Sequence, residues 1–156
     1  MSAARSAGIL LYRVRQGELE VLLGHPGGPY YDRRPDEGAW SIPKGEPGGA
    51  ETDLEATARR EFAEETGTAI SGPLASLGSI VQRGGKEVHA WAVSGDLDPA
   101  MSHSNLFTLE WPPHSGVTAS FPEIDRVAWF GLAEARRKLR EAQTPFLERL
   151  ELLVRP

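Results

Sequence analysis

Apolar residues along the chain gather in short runs broken by glycine, proline and polar residues, and only three stretches have the composition or spacing of a helix. Gly8 to Arg15 (GILLYRVR) is apolar and partly β-branched, and after Gln16-Gly17 a second run spans Leu19 to Leu23, which predicts a β-hairpin. Trp40 to Ile42 predicts a short strand, and Leu77 to Arg83 with Val88 to Val93, flanking Gly84-Gly85, predict a second hairpin. Leu106 to Trp111, stopped by Pro112-Pro113, and Arg126 to Phe130, reached from Val117 to Glu123 through Pro122, predict further strands. Glu51 to Thr66 has no proline and many good helix formers, with Thr52 or Asp53 as N-cap and Gly67 as a stop, and so predicts a helix. Leu132 to Leu139 and Pro145 to Val154 carry apolar residues at helical spacing (Leu132, Ala135, Leu139; Phe146, Leu150, Leu153). Strands on both sides of a central helix, with more helix at the end, predict an α/β (α+β) fold in which a mixed β-sheet is sandwiched between α-helices.

The 156 residues suit one domain, residues 1–156, able to bury about two-thirds of its unfolded surface. Seventeen glycines and twelve prolines fall short of a disordered composition and instead indicate long, shaped loops, above all His25 to Gly38 (HPGGPYYDRRPDEG). The net charge of -5 argues against a protein that grips nucleic-acid polymers through their phosphates, while leaving room for a small phosphorylated ligand. With no cysteine, disulfides, thiol nucleophiles and Cys-ligated zinc are excluded, and any metal must be held by oxygen or histidine. No apolar stretch is long enough for a signal peptide or membrane span, so a cytoplasmic protein with no membrane partner is expected.

Within the central helix, Glu61, Glu64 and Glu65 stand at i, i+3 and i+4, so their carboxylates project from one surface. Such a cluster is most often a solvated acidic face. The helical phase argues otherwise here, because at roughly 100° per residue Glu61 and Glu65 fall within about 60° of Leu54 and Ala58, on the flank of the apolar stripe. Like charges this close destabilise a helix unless neutralised, and a hard cation such as Mg²⁺ or Mn²⁺ would neutralise them. Arg60 and Gly67 complete the string Arg-Glu-x-x-Glu-Glu-x-Gly, which ordinary residue frequencies would produce in a chain this long on the order of once in ten thousand tries.

This string resembles the signature of the Nudix hydrolase superfamily (MutT-like), which runs Gly, five residues, Glu, seven residues, Arg-Glu-U-x-Glu-Glu-x-Gly-U, with U a bulky apolar residue. Arg60, Glu61, Phe62, Glu64, Glu65 and Gly67 fill its second half, with Thr68 where an aliphatic residue is usual. Gly45 and Glu51 have the spacing of the first half, but eight residues rather than seven separate Glu51 from Arg60, so either Glu51 or Thr52 takes the position of the family's first Glu. The string opens on Pro43-Lys44-Gly45-Glu46, where a double glycine is common.

The resemblance implies a Nudix fold over nearly the whole chain and a pyrophosphohydrolase: a divalent-metal-dependent enzyme in which water attacks phosphorus in a nucleoside diphosphate linked to another moiety X. It implies Mg²⁺ or Mn²⁺ held by Glu61 and Glu65, Glu64 as a ligand or general base, Arg60 orienting a carboxylate of its own helix, and the main-chain carbonyl of Lys44 as a further ligand. Glu123 is the candidate for the late acidic ligand the family often adds, ahead of Glu110, and Glu51 is a further candidate ligand. For the substrate, aromatic and basic residues in the loops, Tyr31, Arg33, Arg34, Arg83 and Lys86, are the candidates, Tyr30 standing beside them. A homodimer is among the assemblies the resemblance implies. The alternative, a Nudix-fold module that senses a nucleotide or metabolite without cleaving it, should have lost part of the glutamate triplet, and this chain keeps all of it. A Nudix-fold isomerase of isoprenyl diphosphates would need a cysteine that is absent.

Overall fold

The computed structural model describes residues 4–31 and 35–155. Strands β1 (Arg5–Arg15) and β2 (Glu18–Pro26) form the expected hairpin, with Arg15 opposite Glu18. The turn between them places Gln16 and Gly17 at φ 52° and 80°, the paired left-handed geometry that suits the twist of a two-residue hairpin.

β1 is buried from Ser6 to Leu11 because it has neighbours on both edges and cover on both faces. On one edge it runs parallel to β5 (Glu87–Ser94), which in turn pairs antiparallel with β4 (Ala75–Val81). On the other edge its C-terminal half pairs with β2, whose outer side carries β8 (Ile124–Gly131) in antiparallel register. The result is a mixed sheet of order β4-β5-β1-β2-β8.

Toward its N-terminus β1 splays from β2, and the segment 41–45 wedges into the gap. Ser41 exchanges both backbone hydrogen bonds with Gly24 of β2 (2.8 and 3.0 Å), the Pro43 carbonyl accepts from Ile9 N of β1 at 3.2 Å, and β3 (Lys44–Gly45) pairs with Gly8 and Ala7. The ladder therefore falls two residues beyond the strand expected at Trp40 to Ile42. Those residues are buried, and only single bridges, Ser41 with Gly24 and Trp40 with Leu139, join them to neighbours, because their apolar character reports burial rather than pairing.

Helix α1 (Leu54–Thr66) covers one face of the sheet, with Ala58 and Phe62 fully buried against Ala7, Ile9, Leu11, Leu22 and Val127. Burying a side chain such as Phe62 contributes about 2–3 kcal/mol. The helix begins later than the expected Glu51, because Asp53, extended at φ -103°, accepts from Glu55 N at 3.0 Å and caps the first turn. Gly67, at φ 79°, closes it with its N–H on the Ala63 carbonyl. The opposite face packs against α2 (Leu132–Lys138) and α3 (Pro145–Val154) through Ala135, Leu139, Phe146, Leu147 and Leu150, which meet Leu10, Val21, Leu23, Val88 and Ala90. Helices on both faces of a mixed sheet are the layers the sequence pattern predicts.

Outside these layers, β6 (Leu106–Glu110) and β7 (Thr118–Pro122) form a separate two-stranded ribbon. Its root is tied to the end of α1, since Asn105 N donates to the Glu64 carbonyl at 2.9 Å and His103 N to the Thr66 carbonyl at 3.1 Å. Among the described residues no helix is long and apolar enough to cross a membrane.

Candidate active site

Along α1 the side chains of Ala58 and Phe62 point into the sheet, which places Glu61, Glu64 and Glu65 on the adjoining flank, over the wedge strand and facing the β7–β8 junction. A cleft of about 620 Å³ opens there, and Lys44, Arg60, Glu61, Glu64, Glu65 and Glu123 line it together with Lys86. The sequence-predicted residues thus converge from four separate segments. Gly45 lies directly under Glu61, and a Cβ at this position would fall on the Glu61 carboxyl group and push it aside, so the absent side chain leaves room for that carboxylate.

Arg60 orders the acidic flank. Its Nη1 donates to Glu61 Oε1 at 3.0 Å and to Glu64 Oε2 at 2.8 Å, its Nε to Glu51 Oε2 at 2.8 Å, and its Nη2 to Glu51 Oε1 at 2.9 Å and to the Glu46 carbonyl at 3.0 Å. Glu51 also accepts from Gly48 N and Thr57 Oγ1, each at 2.9 Å. Its carboxyl pKa is held down to about 2, first by the hydrogen bonds from Arg60 and then by that from Gly48. Both Glu51 oxygens are thus occupied, and in this geometry Glu51 is the partner of Arg60 rather than a free metal ligand.

Glu65 has the opposite character. It is half-buried, its one hydrogen bond among the described residues is a long one from Lys44 N at 3.3 Å, and its proton affinity is pushed up to about 8. Burial is the main cause, followed by the charge of Glu61, with Glu123 adding to it. Burial also raises Glu61, and the charges of Glu64 and Glu123 add to that while Arg60 opposes it. Opposite these carboxylates stands Lys44, whose pKa is lowered by burial and by the charges of Lys86 and Arg140.

The donor set fits a hard divalent cation. As they stand, no three acidic or histidine side chains among the described residues close into a cage, since Arg60 draws Glu61 and Glu64 to itself and like charges hold the remaining carboxylates apart. Three features nevertheless ask for a positive ligand with oxygen partners. The half-buried carboxylates disfavour their own ionisation, all the donors are oxygens, and the hydroxyl of Ser6, which lines the same cleft, is buried with no hydrogen-bond partner among the described residues.

Tyr31 and Arg83 are not in this cleft. They line a neighbouring hollow with Arg140, whose Nη2 donates to the Tyr31 hydroxyl at 3.2 Å. Lys86 stands at the rim of the acidic cleft and pairs with Glu46 at 3.2 Å. Glu110 is turned instead to His114 N at 2.7 Å within the β6–β7 ribbon, and Tyr30 packs edge-on against Trp111. Arg33 and Arg34 lie outside the described residues. Sequence reasoning missed Ser6, Asn105 and Arg140. Only Ser6 left a trace, as a small polar residue at the head of the apolar β1 run.

Comparison with known proteins agrees with the fold. The family model described as NUDIX domain matches residues 3–150. No curated protein matches the sequence. Among solved structures, the chain is similar to the NUDIX domain of Shewanella oneidensis NrtR complexed with ADP ribose, with a TM-score of 0.70 and 15% identity over 99% of this chain and 90% of that one. It is also similar to a C. elegans Ap4A hydrolase binary complex (TM-score 0.63, 20% identity, 97% and 98% covered) and to a mutT/nudix family protein from Listeria innocua (0.64, 18%, 99% and 96%).

Proposed function

The chain belongs to the NUDIX family, and from that premise we propose that it is a divalent-metal-dependent pyrophosphohydrolase that cleaves a phosphoanhydride bond in a nucleoside diphosphate derivative by attack of water on phosphorus. The observation that carries this reading is Glu65, a half-buried carboxylate set beside Glu61 and Glu123 with its pKa raised to about 8, in a cleft whose other wall is cationic. The raised proton affinity marks a place short of positive charge, which a divalent cation would supply in exchange for the proton.

Mg²⁺ or Mn²⁺, when bound, lowers the pKa of water and shields phosphate charge. Glu61, Glu65 and the main-chain carbonyl of Lys44 would hold it, with Glu123 approaching from the β7–β8 junction. Glu64 is the candidate general base, because Arg60 holds only its Oε2 and it lines the cleft with its other oxygen unengaged. Arg60 orients both glutamates and is itself fixed by Glu51, whose role in this reading is positional. Lys44 and Lys86 set positive charge where a diphosphate would lie. The neighbours in complex with ADP ribose and described as an Ap4A hydrolase support a ligand of the nucleoside diphosphate class.

The test is release of phosphate or pyrophosphate with Mg²⁺ and Mn²⁺ across dinucleoside polyphosphates, nucleotide sugars, dinucleotides and oxidised nucleoside triphosphates. At least one class should turn over, and Glu61→Gln should reduce that turnover by about two orders of magnitude with little change in melting temperature. Turnover unchanged in Glu61→Gln would remove the metal-site argument, and binding without turnover in every class would favour a sensor.

A further inference from the structure

Beside the acidic cleft lies a second hollow of about 850 Å³, walled by Tyr31 and Pro35 of the first long loop, Gln82 and Arg83 at the β4–β5 tip, and Arg140 and Ala142 after α2. Its volume is that of a small-molecule site. Its basic groups are Arg83 and Arg140. Among the described residues the Arg83 side chain forms no hydrogen bond or ion pair, and that of Arg140 makes one hydrogen bond, to the Tyr31 hydroxyl.

Among the described residues two carboxylates also border the hollow: Glu37, which turns to Arg137 at 3.8 Å, and Glu141, which is exposed. The hollow adjoins the cleft, because Gln82 in its wall donates its N–H to the carbonyl of Lys86, at the rim of the cleft, at 2.8 Å. Guanidinium groups with unused, forked donors are suited to phosphate oxygens, which they bind in pairs.

We propose that this hollow receives the far end of the substrate whose diphosphate lies in the acidic cleft, and that this far end carries a phosphate gripped by Arg140 and Arg83. The proposal rests on the hydrolase reading and names the substrate class within it: molecules that extend beyond the attacked diphosphate into a further anionic group, in preference to those that end in a neutral sugar.

Adenosine tetraphosphate and ADP-glucose, which share adenosine and a diphosphate but differ in the charge beyond it, separate the outcomes. In Arg140→Gln, kcat/KM for the tetraphosphate should fall about tenfold further than for ADP-glucose, mainly through KM, and Arg140→Lys should recover part of the loss. Equal losses on both substrates would overturn the proposal. Inorganic tripolyphosphate should inhibit competitively, and non-competitive inhibition would make the hollow a separate anion site and overturn it as well. Independently of turnover, calorimetric binding of tripolyphosphate to the metal-free protein should weaken at least about fivefold in Arg140→Gln. If no substrate is hydrolysed while this binding depends on Arg140, the hydrolase reading fails and the anion site stands. Hydrolysis indifferent to Arg140 leaves the hydrolase and sinks the anion site. Should Arg140→Gln fail to fold, Arg83→Gln, whose side chain bonds no described residue, carries the same measurements.

Discussion

Arg60 and Glu51 meet side to side, Nε to Oε2 at 2.8 Å and Nη2 to Oε1 at 2.9 Å, so a helix residue and a loop residue nine positions earlier form a two-point ion pair. The residue that lengthens the segment between them is absorbed before the helix starts at Leu54, where Glu51 N donates to the Gly48 carbonyl at 2.7 Å. Glu51, not Thr52, therefore faces Arg60. Without this partner the guanidinium would be left to Glu61 and Glu64, in competition with a metal ion. Glu51→Gln is expected to raise the Mg²⁺ concentration for half-maximal activity about tenfold, read from a magnesium titration of initial rates. An unchanged midpoint would show that Arg60 does not depend on Glu51 for its position.

Gly45 tests how closely the position of the Glu61 carboxylate is tied to turnover. Its backbone needs no left-handed conformation, so alanine costs little in the backbone, but the added methyl group would displace the Glu61 carboxylate. Gly45→Ala should lower kcat about a hundredfold while the melting temperature moves little. A large fall in melting temperature with kcat preserved in the folded fraction would place the strain in the sheet instead.

The carboxylate helix was legible in the sequence because its evidence is local: three glutamates at one helical phase beside a stripe that turned out to be Ala58 and Phe62. Glu123 was legible only as an acidic residue at a predicted strand junction, and its approach to Glu61 and Glu65 depends on the β6–β7 ribbon being tied to the end of α1. The wedge of residues 41–45 was misplaced because apolar patterning marks Trp40 and Ile42 as buried, whereas the pairing of Lys44 and Gly45 follows from the splay of β1 and β2, which leaves no mark in local composition. Arg140 could not have been found at all. Its neighbour Tyr31 is more than a hundred positions away in sequence, and only the packing of α2 against the sheet brings the two together.

Glu65 predicts a pH dependence of stability. Its pKa in the folded chain, about 8, lies above the ordinary carboxyl value near 4.5, so the native state binds more protons than the unfolded state between these values. The stability linked to this group is complete below about pH 4.5 and is lost as pH rises through about 8. In metal-free protein, the melting temperature of the wild type should therefore fall relative to that of Glu65→Gln as pH is raised from 5 to about 8. Added Mg²⁺ should stabilise the wild type more at the upper end of that range than at the lower, because there the cation no longer competes with a proton. Parallel melting curves for the two proteins across the range would show that Glu65 ionises as an ordinary carboxylate.

Gln143 holds the wedge strand from behind. It is fully buried, its Oε1 accepts from Ile42 N at 3.1 Å, and its Nε2 donates to Ser41 Oγ at 3.0 Å and to Gln82 Oε1 at 2.9 Å. One amide thus joins the turn after α2, the segment leading to Lys44, and the β4–β5 tip that carries Arg83 and Lys86. Replacing it with leucine keeps most of the volume but leaves the buried Ile42 N–H without an acceptor, which costs about 1–3 kcal/mol. Gln143→Leu should lower the unfolding free energy in urea by about that amount without changing the slope of the transition. Because the same amide aligns the strand beneath Glu61 and Glu65, kcat should fall in the fraction that remains folded, even though Gln143 lines neither cavity. A loss of stability with full kcat would make it a packing residue alone, and no loss of either would show that the Ile42 amide finds another acceptor.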